Sequence, residues 1–138
     1  LARIPILGKW LMLLAYPGML RRGIRAEASL PKSVPDIAKK QLAELDYRGF
    51  LPAVHSSLVN MLTDPLQAEH QKLCSARLPV MAIWGGEDAI IPISCKDTLA
   101  GWNPDAVQHV ISGAGHGVTY THTPQVLAHI EAALADSP

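Results

Sequence analysis

The sequence predicts an α/β fold, with a helical first part followed by a small parallel sheet. Two observations carry this prediction. Residues 78–138 alternate strand, loop, helix, strand, loop, helix, and both strands end in glycine-bearing loops. Residues 1–77 place apolar side chains at helical spacing and show no strand pattern. The expected organisation is therefore a helical cap or lid over 1–77 and a strand–helix–strand–helix core part over 78–138.

Three helices are expected in the first part. Residues 8–15 include the good helix formers Leu11, Met12, Leu13 and Leu14, and Pro17-Gly18 predicts a stop. A second helix begins near Ser33, with Ser33 as its cap and Pro35 in its first turn. Ile37, Ala38, Leu42 and Leu45 share one face of it, and Gly49 is the expected stop. A third helix carries Leu51, Val54, Leu58, Met61 and Leu62, and Asp64-Pro65 ends it.

In the second part, residues 79–84 form a continuous apolar run closed by Gly85-Gly86. That pattern suits a strand buried on both faces of a parallel sheet. Residues 93–100 read as a short helix closed by Gly101, and residues 106–111 as a second strand. The last helix opens at Thr123, with Pro124 at its first position and Val126, Leu127, Ile130 and Leu134 as its buried stripe. Two strands alone expose apolar faces and unpaired backbone groups. Further strands are expected from an absent N-terminal portion or from a partner chain.

Composition narrows the function. The chain has 138 residues, 49% of them hydrophobic, with 12 basic and 12 acidic side chains. That balance argues against nucleic acid as a partner. Cys74 and Cys95 are far apart and form no CxxC pair, so zinc, redox and disulfide roles are not indicated and both read as buried or half-buried thiols. The apolar stretch 4–20 contains Lys9 and the Pro17-Gly18 break, which makes it a poor transmembrane span and a poor secretory signal. With no targeting signal read, the default expectation is a cytoplasmic location. The opening residue is Leu1 rather than Met, as expected of a processed, trimmed or fragmentary chain.

The chemistry lies in two loops. After the first strand comes Gly85-Gly86-Glu87-Asp88-Ala89-Ile90-Ile91-Pro92, and after the second comes Gly113-Ala114-Gly115-His116-Gly117-Val118. Open parallel sheets bind ligands at the carboxyl ends of their strands. Asp88 and His116 are expected side by side at that edge, 28 residues apart in sequence with one helix between them. A histidine with one ring nitrogen held by a carboxylate is a general base of fixed tautomer. Either residue alone reads better as an ordinary loop residue; the pair is what points to acid–base chemistry.

Residues 78–135 resemble the last two strand–helix units of the α/β-hydrolase family. LPVMAIWGGEDAIIP is similar to that family's strand leading to the triad acid, and AVQHVISGAGHGV to its final strand and histidine loop. The resemblance implies the C-terminal part of an α/β-hydrolase parallel sheet with a helical cap. It implies Asp88 as the acid and His116 as the base, in the family's order of nucleophile, acid, histidine. No G-x-S-x-G elbow occurs in the sequence, so the nucleophile and oxyanion hole are expected outside this chain. Ser56 and Ser57 lie in a predicted helix without the flanking glycines and are poor substitutes. Thr121 and His122 stand where many relatives have an acidic residue.

Other residues hold secondary expectations. Trp84, beside the acid, and Val118, after the base, are candidates for lining the substrate pocket, with packing as Trp84's alternative role. Met12, Leu13, Phe50, Leu58 and Met61 read as plain core or as an acyl-facing cap surface. His55, His70, His109, His122 and His129 show no metal-ligand spacing. No metal or cofactor is implied. The resemblance implies a lipase-like carboxylic ester hydrolase with a Ser-Asp-His triad, acting on a small hydrophobic ester-like substrate. The rivals are an epoxide hydrolase or haloalkane dehalogenase with an Asp nucleophile, where Tyr16 or Tyr47 could serve, and a non-catalytic fragment or binding module. The isolated chain is expected to be inactive.

Overall fold

The computed structural model describes residues 7–30 and 32–135. The elements run α1 (Leu7–Ala26), α2 (Ile37–Glu44), α3 (Phe50–Val59), α4 (Gln67–Ser75), β1 (Met81–Gly85), α5 (Cys95–Trp102), β2 (Val107–Ile111), α6 (Val118–Thr121) and α7 (Thr123–Ala135). The chain divides into two compact units. One comprises Leu1–Leu30 and Val34–Pro65, the other Pro31–Ser33 and Leu66–Pro138.

The first unit is helical. α1 packs against α2 and α3, and Met12 and Leu45 are its buried apolar side chains among the described residues. α1 runs through Pro17-Gly18 rather than stopping there. Proline removes one backbone donor, but the helix formers on both sides, Leu13 and Leu14 before and Met19 to Arg22 after, carry the helix across. The second helix starts at Ile37, later than the Ser33 cap predicted. Asp36 takes a left-handed conformation, φ 55°, immediately before it, and Ser33 is used elsewhere. Gly49 precedes α3 rather than ending α2. Met61 and Leu62 fall in a 3-10 turn after α3, and Met61 is 66% exposed.

The second unit is the α/β part. β1 and β2 pair in parallel, with Met81 opposite Val107 and Gly85 opposite Ile111. Side chains alternate between the two faces. On one face Trp84 donates its indole N–H to Gln108 Oε1 at 2.9 Å, and Gln108 Nε2 donates to the Lys96 carbonyl of α5 at 3.1 Å. The other face builds the core. Ile111, Ala114 and Val126 are buried, with Ile83, Val118 and Ile130 packed on them.

Several sequence expectations shift here. β1 is only half-buried over residues 81–84, because no third strand flanks it among the described residues. Of the predicted stripe on α7, Val126 is buried, while Leu127 and Leu134 are exposed. Gly101 lies inside α5 rather than after it. α4 lies beyond the three helices whose bounds the sequence predicts in the first part. Its sequence QAEHQKLCS has too few apolar positions to print a stripe, and it packs on α5.

The glycines of this unit have unequal roles. A Cβ on Gly85 would lie 2.5 Å from the Gly115 carbonyl oxygen and 2.7 Å from that of Ala114, whereas one on Gly101 would meet nothing within 4 Å. Gly85→Ala should therefore destabilise the protein by about 1–3 kcal/mol through overpacking. Gly101→Ala, in an open helical position, should stabilise it by about 0.5–1 kcal/mol. Urea denaturation of the two variants measures both, and equal effects would refute the distinction.

Candidate active site

The two loops at the carboxyl edge of the sheet are bonded to each other. The Gly86 N–H donates to the Ile111 carbonyl and the Glu87 N–H to the Ala114 carbonyl, both at 2.9 Å. Ala114 is fully buried at the centre of this junction. Gly113 turns the second loop with φ +74°, a left-handed conformation that favours glycine. The close passage of Gly85 beneath Ala114 and Gly115 completes the contact.

This junction places Asp88 against His116. Asp88 Oδ2 lies 3.0 Å from His116 Nδ1. The other carboxylate oxygen, Oδ1, accepts the N–H groups of Ile90 at 2.8 Å and Ile91 at 2.9 Å. The local turn thus consumes one oxygen and leaves the other for the histidine. The Asp88 side chain is 10% exposed and that of His116 is 48% exposed. The acid is sheltered and the imidazole reaches solvent.

The electrostatics follow from these contacts. Burial acts to raise the Asp88 pKa. The Ile91 N–H, the His116 hydrogen bond, the Ile90 N–H and the His116 charge together outweigh burial and hold the carboxyl below its ordinary 3.8. Asp88 is therefore ionised at neutral pH and can only accept, so His116 Nδ1 carries a proton and donates. Nε2 is then the nitrogen left to exchange a proton with a reactant.

The other residues singled out in the sequence are placed as follows. Trp84 is engaged with Gln108, and Val118 opens α6 and packs on the core. Gln108, which joins Trp84 to α5, carries no signal in the sequence beyond being one of two polar residues, with His109, in the second strand. Ser56 and Ser57 lie within α3, where Ser56 Oγ accepts from Asn60 Nδ2 at 3.2 Å. His70 stacks on Trp102 with ring centroids 6.1 Å apart, and His109 on His129 at 3.9 Å. His122 Nδ1 lies 2.9 Å from the Thr121 hydroxyl. Among the described residues no three His, Cys, Asp or Glu side chains group as metal ligands. No helix among them is long and apolar enough to cross a membrane.

Comparison with known proteins agrees with the fold. The sequence pattern of the alpha/beta hydrolase fold matches residues 12–123. The chain belongs to the α/β-hydrolase fold family. It is 31% identical over 109 residues to a 2-hydroxymuconate semialdehyde hydrolase of Pseudomonas putida, covering 73% of this chain and 39% of that protein. A protein of the same description from Pseudomonas sp. strain CF600 is 31% identical over 110 residues, 74% of this chain and 39% of the relative. The biotin biosynthesis bifunctional protein BioHC of Cellvibrio japonicus is 26% identical over 127 residues, 84% of this chain and 21% of the relative. This α/β-hydrolase chain thus spans about two fifths of the length of its two Pseudomonas relatives.

The lowered Asp88 pKa has a signed consequence for stability. The unfolded chain takes up this proton at a higher pH than the folded one. Ionised Asp88 therefore stabilises the fold above about pH 4. That contribution disappears as pH falls through the lowered, folded value. Asp88→Asn should be less stable than wild type by roughly 1–2 kcal/mol at pH 7. The difference should shrink as pH falls below the ordinary 3.8 and through the lowered, folded value. Denaturation midpoints of both proteins across this range measure it, and a gap that widens on acidification would contradict the assignment.

Proposed function

We propose that the intact protein is a carboxylic ester hydrolase in which Asp88 and His116 are the acid and base of a Ser-Asp-His triad. The observation that carries this reading is the 3.0 Å contact between His116 Nδ1 and Asp88 Oδ2, with the second carboxylate oxygen held by backbone. A serine outside these 138 residues attacks the ester carbonyl while His116 Nε2 takes its proton. Collapse of the tetrahedral intermediate expels the alcohol, which receives that proton from His116. Water then attacks the acyl-enzyme, with His116 again as the base. Asp88 keeps the ring oriented and stabilises the imidazolium.

The remaining assignments belong to the same proposal. Residues 1–77 form a cap whose apolar side chains favour a small to medium hydrophobic substrate. Trp84 and Val118 border that substrate. The rest of the sheet comes from sequence outside this chain or from a partner. Supporting this, a largely apolar groove lined by Met81, Val107, Ile130 and Leu134, with His109 and His129 also in its walls, lies along the sheet and α7. The relatives also exceed this chain greatly in length. A second reading comes from the two relatives named 2-hydroxymuconate semialdehyde hydrolases: a semialdehyde of that kind in place of an ester, hydrolysed with the same pair.

In the intact protein His116→Ala and Asp88→Asn should each reduce kcat/KM on p-nitrophenyl butyrate by about 10³-fold or more. Near-wild-type rates in either variant would remove the triad assignment. The 138-residue chain by itself should not hydrolyse p-nitrophenyl acetate. Hydrolysis by the pure chain that disappears in His116→Ala would show that no outside nucleophile is needed.

A further inference from the structure

Ser33 is remote from His116 in sequence, yet it is bonded to the turn that follows it. Its N–H donates to the Tyr120 carbonyl at 2.9 Å. Its hydroxyl lies 2.5 Å from Thr123 Oγ1 and 3.3 Å from the same Tyr120 carbonyl. The Thr123 hydroxyl already donates to the Thr119 carbonyl at 2.6 Å. A hydroxyl has one proton, so Ser33 is the donor to Thr123 and shares that proton with Tyr120. One residue thereby joins the end of α6 to the start of α7. Ser33 belongs to the unit that holds the sheet, whereas Val34, next in sequence, belongs to the other.

α6 leads directly back to the base. The N–H groups of Tyr120 and Thr121 donate to the Gly117 carbonyl at 3.1 and 3.0 Å. The Thr121 hydroxyl donates to the same oxygen at 2.9 Å. The Tyr120 ring lies over Gly117 so closely that a Cβ there would stand 2.4 Å from its Cζ. Gly117 is thus gripped by Tyr120 and Thr121, and the Tyr120 carbonyl is gripped by Ser33. His116, adjacent to Gly117 and nearly half exposed, has few walls to aim its ring. Its direction depends on where the backbone of this turn is held.

We propose that Ser33 is a positioning residue for His116, acting through Tyr120, Thr121 and Gly117 to keep Nδ1 on Asp88 Oδ2. The proposal rests on the triad reading above, and its test separates the two. In the intact protein, proton NMR reads the downfield Nδ1–H resonance of His116, assigned by its loss in His116→Ala. Ser33→Ala should shift or broaden this resonance, and Ser33→Thr, which keeps the hydroxyl, should restore it. On p-nitrophenyl butyrate Ser33→Ala should lower kcat about tenfold, with KM within about twofold, well below the melting temperature. A lower Tm with resonance and kcat unchanged would overturn the positioning role and leave the triad standing. A resonance that Asp88→Asn does not alter would overturn the Asp88–His116 pair and this proposal together.

Discussion

Two backbone hydrogen bonds, from Gly86 N–H to the Ile111 carbonyl at the end of β2 and from Glu87 N–H to the Ala114 carbonyl in the base loop, tie the acid loop to the second strand and its loop. Everything at the candidate site depends on this junction. A parallel strand pair sets the two loops at the same edge, but adjacency of strands alone leaves loop side chains several ångströms adrift. The cross-loop bonds, with Ala114 buried between them, remove that freedom. Gly85 is the sequence requirement behind them, because any side chain there would strike the Ala114 and Gly115 carbonyls. The pairing of Asp88 with His116 is therefore a property of backbone packing first and of electrostatics second.

The two partners of the pair are held unequally, and the difference suits the roles proposed for them. Asp88 is sheltered, with one oxygen fixed by two backbone donors and the other facing the imidazole. A carboxylate so satisfied stays ionised and does not wander. His116 is nearly half exposed to solvent, as the proposed proton transfer requires. An immobile acid behind an accessible imidazole is the arrangement that general-base chemistry uses. Membership of the α/β-hydrolase fold family gives that arrangement a setting.

Much of this was legible in the residues and some was not. The two strands, the helix between them and the side-by-side placement of Asp88 and His116 follow from the apolar run before Gly85-Gly86 and from the glycine loop at 113–117. Those signals are local and strong. The boundaries in the first part were harder. Pro17-Gly18 reads as a stop, but helix formers on both flanks override it. Ser33 reads as a helix cap because its type and the following proline fit one. Its actual partners, Tyr120 and Thr123, lie far along the chain, and no local pattern reveals a contact of that range. Leu127 and Leu134 carry a core pattern without being buried here, consistent with the proposal that other sequence packs on this face.

The central claim is that His116, set by Asp88, activates a serine outside these 138 residues. Labelling of the intact protein with a fluorophosphonate, followed by mass spectrometry of the labelled peptide, tests it most directly. The account predicts one phosphonylated serine, outside the present sequence, and labelling at least about 100-fold slower in His116→Ala. Labelling at the wild-type rate in His116→Ala, or a protein that turns over ester without ever being labelled, would contradict it.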